Sequence, residues 1–192
     1  IEKLWAQGLE GQGVKVAVLD TGIDADHPEV AGIYKGGKNF VPHIGTDYAR
    51  PRADDDASET SPLDRPAHRP EVNANGSTFY TSHGTHVAGT IAAIGANEYG
   101  IKGIAPKVDL YMYRVLGAYG SGSTSGIIKA IETAVLEDMD IINLSLGGGA
   151  NSETDASSFA INNATMAGVI AVSATGNSGP DRGTIGSPAT SR

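Results

Sequence analysis

The chain has 192 residues, 40% hydrophobic and 19% charged, a composition that packs one globular core rather than a disordered coil. Fourteen Lys and Arg against 22 Asp and Glu leave a net charge of −8, which argues against a nucleic-acid partner and for a soluble acidic protein. The absence of cysteine excludes a disulfide frame and a thiol nucleophile. No apolar run reaches the roughly 20 residues of a membrane span, so no membrane partner is expected, and the first residues lack a basic-then-apolar signal pattern.

Val14 to Asp20 (VKVAVLD) is a short β-branched apolar run closing on a polar residue, the pattern of a buried strand with its acid at the carboxyl end. Residues 41–80 then break the rhythm with five of the nine prolines and the triplet Asp54-Asp-Asp56, and are expected to form a surface insertion rather than a second domain. A helix is predicted from His83 to Ala92, a strand over Val108–Val115 and a helix over Ser125–Glu137. A strand over Asp140–Leu146, a helix from about Ala156 to Met166 and a strand over Val169–Ala174 follow. Strands alternating with helices predict an α/β fold, a parallel sheet covered on both faces. Such sheets bind ligands at the carboxyl ends of their strands, where Asp20, Ser145 and the stretch after Ala174 all fall.

Ser82-His-Gly-Thr-His-Val-Ala-Gly-Thr90 places two histidines three residues apart. As a zinc pair the spacing is wrong, because helical metalloprotease ligands stand at i and i+4 with a glutamate between them. A packed helix start capped by Ser82 is one reading. A general base at the head of a helix is the other, and a base needs an anion that fixes its tautomer and compensates the imidazolium. Asp20 is the candidate anion, although a lone aspartate at a strand end is often a turn residue. Ala174-Thr-Gly-Asn-Ser-Gly179 offers an amide at another strand end for a developing oxyanion, or else a common turn.

Taken together these segments resemble a known family. Val16-Ala-Val-Leu-Asp-Thr-Gly-Ile-Asp24 with Asp26-His-Pro28, and Ser82 to Thr90, resemble the aspartate and histidine motifs of subtilisin-like serine proteases (subtilases, peptidase S8). Val115-Leu-Gly-Ala-Tyr-Gly-Ser-Gly122 and Ile142-Asn-Leu-Ser-Leu-Gly147 are similar to their substrate segments, and Ala174-Thr-Gly-Asn177 to their oxyanion motif. The resemblance implies a subtilisin-like three-layer sandwich, truncated on its C-terminal side, and a secreted or cell-envelope serine endopeptidase acting on proteins. It implies His83 as base, Asp20 as its orienting acid, Asn177 as oxyanion donor and His86 as a packing residue. Gly120, Ser121 and Gly122 would line one side of a peptide groove and Ser145, Leu146 and Gly147 the other, with Ala174 and Gly176 beside them.

The family's nucleophile pattern, Gly-Thr-Ser-Met-Ala-x-Pro, does not occur in the sequence. The chain is therefore read as the N-terminal portion, 1–192, of a catalytic domain whose serine lies elsewhere. It resembles bacterial extracellular members with a protease-associated insertion, and its implied partners are a C-terminal remainder, that insertion and a propeptide. Alone it is expected to be inactive and to self-associate through bared sheet surface. The alternative reading is a serine-less peptide-binding module. No cofactor is required by the implied chemistry; structural calcium near Glu29 and in the loop with Asn97 is a further expectation.

Overall fold

The computed structural model describes residues 1–43, 51–149 and 151–192. In chain order the elements are α1 (Glu2–Trp5), β1 (Lys15–Asp20), β2 (Tyr34–Asn39), α2 (His83–Ala92), β3 (Asp109–Arg114), α3 (Thr124–Leu136), β4 (Ile141–Leu144), α4 (Ala156–Met166) and β5 (Ile170–Ser173). The strands form one parallel sheet in the order β2-β3-β1-β4-β5. β1 is central, and its register sets Asp20 beside Arg114 at the end of β3.

Alternation along β1 divides the core in two. Ala17 and Leu19 join Tyr113, Ile131, Ile142 and Ala160 on the face covered by α3 and α4. Val16 and Val18 join Leu110, Met112, Ala88 and Ala92 on the face covered by α2. Because both faces of β1 are covered, its apolar residues run without polar interruption. The α/β layered fold expected from the sequence is what is found. β5 differs from β1, with Ile170 60% and Val172 51% exposed at the sheet's outer edge.

Two features depart from the sequence expectations. β2 (YKGGKN) is polar and glycine-rich, with no strand signal, and forms because an edge strand pairs on one side only with β3. The 41–80 segment lies on the surface only in part. Residues 44–50 fall outside the described residues, but Ala57, Thr60 and Phe79 are buried, and the Arg52 side chain is 2% exposed. Arg52 donates to the Ser58 carbonyl at 2.8 Å and the Glu59 carbonyl at 3.1 Å, and pairs with Asp56 and Asp64. A charged side chain that satisfies its donors internally lets a sequence without apolar periodicity pack against the core.

Candidate active site

Asp20 ends β1 with its side chain fully buried. Its Oδ1 accepts hydrogen bonds from the Thr21 backbone N–H at 2.7 Å and from His83 Nδ1 at 2.8 Å. A buried carboxylate on Nδ1 assigns that nitrogen the proton and leaves Nε2 as the basic atom. The His83 side chain is 56% exposed and lines a cleft of about 950 Å³, so the ring is anchored at one nitrogen and accessible at the other. Asp20 Oδ2 is also buried and has no hydrogen-bond partner among the described residues.

Small residues bring the two elements together. A Cβ on Gly84 would lie 2.2 Å from the Gly22 carbonyl oxygen and 3.2 Å from Asp20 Cβ, so only glycine admits the head of α2 so close to the end of β1. The free N–H groups of the first helical turn are then met from outside the helix. Gly84 N–H donates to Thr21 Oγ1 at 2.8 Å, and Thr85 N–H donates to Glu59 Oε1 at 3.0 Å. Ser82 occupies the cap position, but its side chain makes no capping bond, contrary to the expectation from the sequence. His86, expected to pack, is exposed, because α2 buries the stripe Gly84, Ala88 and Ala92 against the sheet instead.

The cleft gathers most of the remaining predicted residues. Gly120, Ser121, Gly122, Ser145, Leu146, Gly147 and Asn177 all belong to its lining. The 120–122 segment is shaped by Gly122, whose Cβ would meet the Val115 carbonyl oxygen at 2.1 Å. Tyr119, just before this segment, donates from its hydroxyl to the Pro70 carbonyl at 2.6 Å and packs edge-on against buried Phe79, 5.3 Å between centroids. Gly148 and Ser187, which also line the cleft, exchange backbone hydrogen bonds at 3.0 and 3.2 Å. Ala174 continues from β5 by donating to the Leu144 carbonyl at 3.0 Å, and Gly176 has a φ of +98°. Both lie at the strand end but outside the cleft lining. Glu59, Thr21 and Thr85 escaped the sequence reading. Thr21 and Thr85 lie inside the aspartate and histidine motifs without a role being expected of them, whereas Glu59 carries no local signal.

Glu29 and Asn97, the residues considered for calcium, hold each other. Glu29 Oε2 accepts from Gly95 and Ala96 N–H at 2.7 and 3.1 Å, and Oε1 accepts from the Asn97 side-chain amide at 2.7 Å. Asn97 Oδ1 in turn accepts from Tyr99 and Ile101 N–H, each at 3.1 Å. With N–H donors pointed at the carboxylate and the amide oxygen already engaged, the arrangement fits a hydrogen-bonded loop and not a cation cage. Among the described residues there is no cluster of three or more His, Asp or Glu placed for a metal ion. The Asn97 amide and the two backbone N–H groups hold the Glu29 carboxyl below its ordinary value.

The parallel α/β sheet thus ends its central strand in a buried aspartate hydrogen-bonded to a helix-borne histidine over an open cleft. Residues 11–192 match the subtilase family, peptidase S8, and the chain belongs to it. It is 43% identical over 98% of its length to the minor extracellular protease Vpr of Bacillus subtilis (strain 168), covering 20% of that protein. It is 40% identical over 92% of its length to the major intracellular serine protease of the same organism, covering 47% of it. Among solved structures it is similar to sphericase, with a TM-score of 0.69, 35% identity and coverage of 94% of this chain and 51% of that one. The chain thus spans about half or less of the relatives it matches.

Proposed function

We propose that this chain supplies the acid–base half of a serine endopeptidase. The observation that carries the reading is the buried Asp20 carboxylate hydrogen-bonded to Nδ1 of a cleft-facing His83. In this mechanism His83 Nε2 takes the proton of a serine hydroxyl as that oxygen attacks the substrate carbonyl, and later returns it to the leaving amine. Asp20 keeps the tautomer and stabilises the imidazolium between the two transfers. Asn177, at the end of the same cleft, is suited to donate its side-chain amide to the tetrahedral oxyanion. An extended peptide of a protein substrate would lie between Gly120–Gly122 and Ser145–Gly147 and pair with their main chain.

The serine is assigned to the rest of a longer parent protein, a reading supported by the chain's partial coverage of its relatives; a propeptide and a protease-associated insertion are proposed there from the family resemblance alone. A secreted or cell-envelope location is supported by the extracellular name of the Vpr relative, while the intracellular relative shows that the family is not confined there. The test is complementation. This chain, mixed or fused with a segment bearing the serine motif, is expected to hydrolyse a peptide substrate, and Asp20→Asn is expected to cut kcat by about 10⁴-fold. A combined protein with no turnover, or one indifferent to Asp20→Asn, would overturn the reading.

A further inference from the structure

The inserted segment reaches the base. Ile23 N–H donates to the Ala57 carbonyl at 2.9 Å, and Ile23 and Ser58 form a parallel bridge. Gly22, at φ +127°, abuts the same segment, since its Cβ would lie 2.7 Å from the Ser58 carbonyl oxygen and 2.8 Å from Glu59 N. On the other side Gly22 abuts Gly84 of α2. Three backbones are therefore stacked without side chains between them: the insertion at Ser58–Glu59, the loop after Asp20, and the first turn of the helix that carries His83.

Glu59 stands at the end of this stack with its carboxylate turned to the helix. Oε1 accepts from Thr85 N–H and from Thr85 Oγ1, both at 3.0 Å, and Oε2 accepts from Thr81 Oγ1 at 2.5 Å. Thr85 Oγ1 also accepts from Asp24 N–H at 2.9 Å, so one hydroxyl links the Glu59 carboxylate to the loop that follows Asp20. The Glu59 backbone is fixed in turn, because Arg52, inside the core, grips its carbonyl. Arg114, 3% exposed at the end of β3, donates to Thr60 Oγ1 at 2.9 Å and to Asn39 Oδ1 at 2.9 Å.

We propose that Glu59 is a positioning residue for His83: the insertion serves as a strap, anchored by Arg52 and Arg114, that delivers a carboxylate to the Thr85 N–H and fixes the first turn of α2 relative to Asp20. This rests on the serine-endopeptidase reading. A carboxylate at a helix N-terminus accepts a charge-assisted bond and opposes fraying of that turn. His83 is the first residue of the helix, two before Thr85, so fraying there would swing the imidazole away from Asp20 and from any serine. Of the first turn of α2 only His83 lines the cleft, and the glycine-rich segments 120–122 and 145–147 lie on other elements, so loss of the strap should weaken the chemistry more than substrate binding.

The test is made in the full protease, with kcat expressed per active site by burst titration so that unfolded protein is not counted. Glu59→Ala is expected to lower kcat by about 10- to 100-fold, the range of a misplacement near 1 Å, with KM within about twofold. Glu59→Gln, whose amide oxygen still accepts from Thr85 N–H, is expected to recover most of that loss. If Glu59→Ala does not fold, Thr85→Val, which keeps the N–H bond but removes the hydroxyl that joins Glu59 to the loop after Asp20, is expected to show the same split between kcat and KM with a smaller fall in kcat. The proposal is overturned if the variants keep the wild-type kcat per site, if KM rises in step with the fall in kcat, or if Glu59→Gln is as impaired as Glu59→Ala. A wild-type protease that fails to turn over would refute the endopeptidase reading instead.

Discussion

At the residue scale, the clearest contrast is between two carboxylates. Asp20 is buried and anchors the His83 ring, whereas Glu29 is an acceptor for three N–H groups and anchors a loop. The Glu29 carboxyl, held below its ordinary value of 4.5, binds its proton less readily folded than unfolded. Its contribution to stability is therefore full above pH 4.5 and is lost as the pH falls through the lower, folded value. Thermal melts between pH 7 and pH 3 should show a decline below about pH 4.5, and Glu29→Gln should flatten part of that decline. A chelator at neutral pH should leave the melting midpoint unchanged; a clear fall on adding it would mean that the loop binds a cation after all.

At the scale of elements, the meeting of β1 and α2 depends on the missing side chain of Gly84. A methyl there would lie 2.2 Å from the Gly22 carbonyl oxygen, a backbone atom that has little room to yield. Gly84→Ala should cost about 1–3 kcal/mol by overpacking, seen as a fall in denaturation midpoint, and should weaken the His83–Asp20 contact. An unchanged midpoint would show that the helix shifts freely. These elements also show what a sequence discloses. Asp20 and His83 were legible because each sits in a short motif at the boundary of a strongly patterned element. β2 was not, because its Tyr-Lys-Gly-Gly-Lys-Asn is stabilised by pairing with β3 and carries no alternation of its own. Ser82 holds the cap position, yet the N–H groups go to Thr21 and Glu59, 63 and 26 residues away from their donors. Tertiary partners of that sort leave no trace in local spacing.

For the whole molecule, coverage of the sheet is uneven. β1 is sealed on both faces, while Ile170 and Val172 stand more than half exposed on β5, the last strand of the sheet. An edge with unpaired backbone groups and apolar side chains invites another strand. The isolated chain should show a mass that rises with concentration in sedimentation, and Val172→Lys should shift it toward monomer. A constant monomeric mass for the unmodified chain would refute this. The overall α/β architecture was readable from alternating strand and helix patterns, but the anchoring of residues 51–64 was not, since it rests on Arg52, Arg114 and their polar acceptors rather than on apolar period.

The position of Asp20 gives the Asp20–His83 pair unequal footing. One member is carried by the middle strand, whose backbone is bonded on both sides and whose opening requires disruption of the sheet itself. The other rides on the first residue of a ten-residue helix that is held at its tip by side chains from two loops. On warming, the histidine end is the one free to let go first, so loss of the acid–base contact would come as a local event that precedes melting. Within this architecture the durability of the site is set by its tether and not by its foundation.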